Sequence, residues 1–226
     1  MKLTKLITGG AACAATVLVL GNSTIQAQNL LSDPGFESAT PVASGIGGWA
    51  PVNGAAFSTT VARTGTESMF DNGPGGGFSV PLSFQYVSAS AGSQYDLTGF
   101  GLFQTAPPFD PAGNSWGALQ ITFWSGPNGT GSNLGTVQTS PGNALVSNKI
   151  DSTSPTGTWL ALDTGIVTAP AGAQSVEAFT IVLNNMPVSA FFDDISLVQV
   201  VPEPSTLALA GMALGIPFYF IRRRNN

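Results

Sequence analysis

Histidine is absent from this chain of 226 residues, and cysteine occurs once, as Cys13. Without histidine the commonest general base is missing, and most nucleophile–base systems go with it. A single cysteine excludes an intramolecular disulfide. Charge is scarce as well, at 8% of residues, and cations are scarcest: between Lys5 and Arg222 only Arg63 and Lys149 occur. All 12 acids lie between Asp33 and Glu203, so the middle of the chain sets two cations against twelve acids, a net charge of about −10. Such a surface repels a phosphate backbone and argues against nucleic acid as a partner. It suits cations, or neutral partners such as sugars. Helical spacing of apolar residues is missing too: no segment between the two chain ends has it.

What is abundant is Gly (28), Pro (16) and apolar residues (43%, including 14 Phe and 4 Trp). Gly and Pro punctuate turns and are poor in helix interiors. The apolar share is high enough to build a core, which argues against disorder. Short runs alternate at period two. "SVPLSFQYV" sets Val80, Leu82, Phe84 and Tyr86 on one face, which reads as the buried face of a half-buried strand. "QYDLTGFGLF" continues with Tyr95, Leu97 and Phe103; its Gly99 and Gly101 suggest a bulge or a close approach. "ALQITFW" separates Leu119, Ile121 and Phe123 from Gln120, Thr122 and Trp124. "SVEAFTIVL" and "SAFFDDISLVQV" complete the set. Short strands between turn signals predict an all-β fold, an antiparallel β-sandwich, over residues 28–201.

The two ends read differently. Residues 1–27 have the form of a secretory signal peptide: Lys2 and Lys5, an apolar stretch from Ala11 to Leu20, and Ala27 as a small residue for signal peptidase. Cys13 precedes most of that stretch and reads as an incidental signal-peptide residue. At the other end, Leu207 to Ile221 is uncharged. A transmembrane helix there would measure about 22 Å, short of a hydrocarbon core about 30 Å thick. Arginine snorkelling or bilayer thinning would accommodate it. Arg222, Arg223 and Arg224 would stay cytoplasmic, leaving the middle of the chain outside. Pro202 and Pro204 keep Glu203 extended. Pro-Glu-Pro, the apolar run and the arginine cluster over 202–226 together resemble the PEP-CTERM sorting signal. The resemblance implies processing by an exosortase-type membrane enzyme, through a membrane-anchored intermediate, and delivery to the bacterial surface or extracellular matrix. Pro217 departs from it as a potential kink.

A second resemblance rests on the domain edges. "NLLSDPGFESA" near the start, "ARTGTESM", "TAPAGAQSVEAFTIVLN" and the closing "FFDDISLVQV" are similar to carbohydrate-binding-module-like, galactose-binding-like jelly rolls, with Asp33 where those domains carry Asn. It implies that the first and last strands meet.

Two sets of candidate site residues follow. Asp193 lies at period two from Ile195 and Leu197, so burial and a partner are expected. Glu37 is a plausible neighbour, and a structural calcium ion would reconcile the two carboxylates, with carbonyls from "RTGTES" among its ligands; related domains often carry such an ion. The alternative is a metal-free Asp193 bonded to backbone N–H groups or to Arg63. Asp194, adjacent in the strand, would point to the opposite face, toward solvent or a loop. Among the tryptophans, Trp124 on the polar face of its strand is the first choice for sugar stacking, and Trp116 the second. Three roles follow: a non-enzymatic matrix or envelope protein, a carbohydrate-binding module for an extracellular polysaccharide, and a glycan-active enzyme. Absence of histidine and of a facing carboxylate pair weighs against the third.

Overall fold

The five runs read above from the sequence become five of ten strands among the described residues of the computed structural model. These are 28–38, 40–73, 80–104, 115–139, 149–183 and 188–200. The strands are β1 (Ala50–Val52), β2 (Ala55–Ser58), β3 (Ser68–Asn72), β4 (Leu82–Ser88), β5 (Gln94–Phe103), β6 (Trp116–Trp124), β7 (Asn133–Gln138), β8 (Trp159–Thr168), β9 (Ser175–Leu183) and β10 (Ser189–Val200). The expected signal peptide over 1–27, the membrane helix over Leu207–Ile221 and the sorting residues Pro202, Glu203, Pro204 and Arg222–Arg224 lie outside the described residues.

Two five-stranded sheets form, in the orders β1-β4-β9-β6-β7 and β2-β3-β10-β5-β8. Every pairing is antiparallel. Only β2–β3 and β6–β7 are successive strands of one sheet; the other connections cross between sheets. This all-β sandwich has the layering expected from the sequence. Its facing sides bury Leu119, Ile121 and Phe123 of β6, Val176, Ala178 and Val182 of β9, Met69 of β3, and Tyr95 and Leu97 of β5. Ala190, Phe192, Ile195 and Leu197 of β10 complete this core. Full burial of each large side chain stabilises by about 1.5–3 kcal/mol. The glycines of β5 accept isoleucine side chains: a Cβ on Gly101 would stand 2.2 Å from Ile150 Cδ1, and one on Gly99 would stand 2.5 Å from Ile195 Cδ1. The opening segment meets the last strand, through Leu30 N–H donating to the Leu197 carbonyl at 2.8 Å and the Asn29–Val198 bridge.

Two expectations are corrected. In β4 the residues turned to the core are Ser83 (0% exposed) and Gln85 (1% exposed), whereas Leu82, Phe84 and Tyr86 stand half-buried on the outside. The polar pair is tolerated inside because it is bonded. Ser83 Oγ lies 2.6 Å from Thr180 Oγ1. Gln85 accepts from Ser32 N–H at 2.7 Å and donates to its carbonyl at 2.9 Å. In β10 the register shifts between Asp193 and Ser196, with Asp194 at φ 51°. This bulge flips the alternation. Asp193 therefore follows Phe191 on the outer face and does not share the face of Ile195 and Leu197. It is buried because loops cover it.

Candidate functional site

The outer face of the first sheet gathers what β4, β9, β6 and β7 turn away from the core. Register places Phe84 beside Phe179 and Gln120, with Gln138 next in the row. The next row is Tyr86, Glu177, Thr122 and Thr136, followed by Ser88, Ser175, Trp124 and Asn133. One half of the face is aromatic and the other is amide and hydroxyl. Trp116, at the far end of β6, lies on the same face, eight residues from Trp124 and thus about 27 Å along the strand.

Glu177 organises the aromatic side. It is 3% exposed, and Trp124 Nε1–H donates to its Oε2 at 2.7 Å. The Tyr86 hydroxyl is its second partner. Burial pushes the Glu177 carboxyl above its ordinary range, and the Tyr86 and Trp124 donors offset part of that rise. Tyr86 is raised as well, by burial and then by its bond to Glu177. The short 3-10 turn Pro127–Gly129 closes this end of the face. Gly129, at φ 73°, lies so close to the Tyr86 ring that a Cβ there would approach within 2.2 Å. Its N–H donates to Ser175 Oγ at 3.0 Å.

On the polar side the side chains bond to one another. Gln138 donates to Gln120 Oε1 at 3.0 Å, Gln120 donates to Thr122 Oγ1 at 3.3 Å, and Thr122 and Thr136 hydroxyls stand 3.0 Å apart. Half-exposed rings beside fixed amides and hydroxyls suit a ligand that is apolar on its C–H faces and rich in hydroxyls at its edges. Trp124 stands where the sequence places it, on the polar face and half-exposed. Trp116 is half-buried, and its indole N–H is buried without a hydrogen-bond partner. Trp49 and Trp159 serve elsewhere: Trp49 is buried against Phe36 at 5.0 Å, and Trp159 is on β8 of the second sheet. Sequence reasoning missed Glu177, Tyr86, Phe84 and Phe179. Glu177 had a signal, as the lone acid in a strand otherwise made of apolar residues, Ser and Thr.

The second set of site residues lies on the other sheet. Asp193 is fully buried, and its Oδ2 accepts from Arg63 N–H at 2.7 Å and Thr64 N–H at 3.2 Å. Its Oδ1 accepts from Asp194 N–H at 2.7 Å. Burial nonetheless pushes its carboxyl up. Glu37 binds the same loop further along, accepting from Thr66 N–H, Glu67 N–H and the Thr66 hydroxyl at 2.9–3.1 Å. These backbone donors hold the exposed Glu37 carboxyl below its ordinary range. Asp194 meets a loop, as expected, but it is the loop that holds Asp193 and not one on the opposite face. The bulge turns it to the same segment, where it pairs with the Arg63 guanidinium and accepts from the Thr64 hydroxyl, each at 2.5 Å. The guanidinium also lies 3.4 Å from the Phe100 ring centroid. The structure thus brings Glu37 and Asp193 to one loop. Calcium takes 6–8 oxygen ligands, and the contacts of both carboxylates here are N–H and O–H donors. A cation would have to displace some of these donors, so this donor set fits a hydrogen-bonded tie better than a calcium cage.

A further carboxylate pair, Asp96 and Asp163, lies across β5 and β8. Burial, then the neighbouring Asp163, pushes Asp96 up to about 6. These two are hydrogen-bonded to each other on the other sheet from Trp124. Glycosidase carboxylates stand about 5–9.5 Å apart to admit the reacting bond.

Among known proteins, the sandwich is similar to an arabinose-bound MgGH51 α-L-arabinofuranosidase, with TM-score 0.52 and 17% identity over 76% of this chain and 26% of that one. The enzymatically active domain of bacteriophage CBA120 tailspike protein 4 gives 0.50 and 11% over 76% and 21%. The carbohydrate-binding module TmCBM61, solved with β-1,4-galactotriose, gives 0.48 and 15% over 76% and 99%. The chain spans about a quarter of that arabinofuranosidase and about a fifth of the tailspike chain. No curated protein is significantly similar in sequence. Several of the similar structures are carbohydrate-binding modules, and the likeness is one of fold. Residues 200–224, beginning at the last residue of β10, match the PEP-CTERM protein-sorting motif, the mark of an exported, surface-sorted protein.

Proposed function

We propose that this chain is an exported, non-enzymatic protein of the bacterial envelope or extracellular matrix that holds a polysaccharide on the outer face of its first sheet. The observation that carries this reading is the inverted strand β4. Its aromatic residues face outward while Ser83 and Gln85 take their places in the core. Core burial would stabilise the rings, so turning them out has its use at the surface. Glu177 then fixes Tyr86 and Trp124 beside a row of amides and hydroxyls. Among the described residues Glu177 is the one carboxylate on this face, whereas glycoside hydrolysis ordinarily uses two.

Retention on a panel of insoluble and gel-embedded polysaccharides tests the reading. Trp124→Ala is expected to weaken retention about tenfold, because it removes a stacking ring, worth about 1 kcal/mol, and also frees Glu177. Trp124→Phe keeps a ring without the N–H and should fall between. Equal retention of wild type and Trp124→Ala, with unchanged melting, would remove the face from consideration.

Sorting is tested separately. The mature protein is expected to lack residues 1–27 and the tail with its Pro202–Pro204 signal, through signal peptidase and an exosortase-type enzyme. Intact mass of the protein recovered from envelope or medium decides it; a mature species still ending in Arg222–Asn226 points to a simple membrane anchor. Calcium bridging Glu37 and Asp193 is the alternative to the hydrogen-bonded tie there, and melting in calcium, magnesium and chelator decides between them.

A further inference from the structure

We infer that the aromatic face selects uncharged polysaccharides and rejects acidic ones, and that Glu177 sets this selection. The inference rests on the polysaccharide-binding reading. An acidic sugar is ordinarily matched by Arg or Lys, whose donors neutralise its charge. Between residues 28 and 201 the sequence offers only Arg63 and Lys149. Arg63 belongs to the second sheet, paired with Asp194 and laid over Phe100. Lys149 is paired with Asp151 at 2.5 Å. No unpaired cation is left in the domain for a uronate or a sulfate.

The face itself adds the opposite sign. Glu177 sits in its middle row, between Tyr86 and Thr122. Its donors are neutral: the Trp124 indole and the Tyr86 hydroxyl orient the carboxylate without cancelling its charge. Burial lowers the local dielectric response, so a second negative charge brought alongside is screened less than at an open surface. The other polar groups of the face, Gln120, Thr122, Thr136 and Gln138, are uncharged. Of these, Gln120 and Gln138, half-exposed, and Thr136, exposed, can bond sugar hydroxyls. A neutral chain therefore meets partners on both halves of the face, while an acidic chain meets a fixed like charge.

Affinity electrophoresis of the mature protein tests this with neutral glucans, galactans and xylans, each beside its carboxymethylated form, in chelator to prevent calcium bridging. Retention is expected on at least one neutral polymer and about tenfold weaker on its carboxymethylated counterpart. Glu177→Gln should bring the two within about threefold, with native-like melting. If that variant does not fold, salt decides instead. Raising ionic strength from about 0.01 M to 1 M should narrow the wild-type gap. Equal or stronger wild-type retention on the carboxymethylated polymer, lost in Trp124→Ala, overturns the selection and leaves polysaccharide binding standing. A gap unchanged both in Glu177→Gln and at high salt overturns the role of Glu177. Absence of retention on every polymer overturns the binding reading, and this inference with it.

Discussion

Asp71→Asn is expected to raise the melting temperature at about pH 8 by several degrees and to change it little near pH 4. Asp71 lies on the core face of β3 with no exposed surface, and both its carboxyl oxygens lack hydrogen bonds. Its cross-strand partners are Ala55 of β2 and Ala190 of β10, and Thr180 of β9 lies across the sandwich from it. None is charged. Burial accordingly pushes Asp71 up to about 8 from 3.8. The sign follows from the direction. Below 3.8 Asp71 is mostly protonated in both folded and unfolded chains, and near pH 4 folding has lost little. As pH rises, the unfolded carboxyl ionises first while the folded one keeps its proton, so stability falls until about pH 8. At about 1.4 kcal/mol per unit, the cost at pH 7 is on the order of 4 kcal/mol.

Asn at position 71 removes that slope, at the smaller expense of burying an amide. A net gain of about 2 kcal/mol is expected, or roughly 4–8 °C for a domain of this size. Melting curves of wild type and variant across pH 4–8 check it. Glu177, Asp96 and Asp193 are also shifted upward and bend the wild-type curve the same way, so the difference between the two proteins is the measured quantity. Parallel curves would mean that Asp71 is ionised and paired in the folded chain.

Asp193→Ala is expected to act in the opposite direction, lowering stability by about 3 kcal/mol. Three backbone N–H groups converge on this carboxylate, from Arg63, Thr64 and Asp194. Hydrogen bonds to a charged group contribute about 1.5–3 kcal/mol each. Full loss of three would exceed the value given, but the Arg63 and Thr64 loop is exposed and water can satisfy part of it. The tie matters beyond its own atoms because it holds the 63–67 loop on the bulge of β10, a central strand of its sheet. The melting temperature should fall by about 6–12 °C.

Repeating the measurement in calcium, magnesium and chelator separates two ways of holding the loop. If N–H donors hold it, the wild type melts alike in all three and the loss in Asp193→Ala is the same throughout. If calcium bridges Glu37 and Asp193, the wild type is stabilised by calcium alone, and Asp193→Ala removes that increment. The donor geometry at both carboxylates leads us to expect the first result.

Much of this protein is legible in the sequence because much of it is local. A sheet-forming chain shows itself in short period-two runs between Gly- and Pro-rich turns, and β4, β5, β6, β9 and β10 stand where those runs are. The sorting motif is contiguous, so residues 200–224 reveal it without any fold. The lack of histidine and of cations is a property of composition that folding cannot alter. Trp124 could be placed on the outer face because Gln120 and Thr122 share its side of β6.

Only the tertiary structure decided the rest. Period two says that the faces of β4 differ; it does not say which is turned inward, and the bonds of Ser83 to Thr180 and of Gln85 to Ser32 settle that from residues far along the chain. The bulge at Asp194 leaves no mark in "FFDDISL", yet it moves Asp193 to the opposite face from the one its spacing implies. Glu177 and Trp124 are 53 residues apart. Their meeting depends on the order of β4, β9 and β6 in one sheet, which is fixed by packing of the whole sandwich and by no local run of residues.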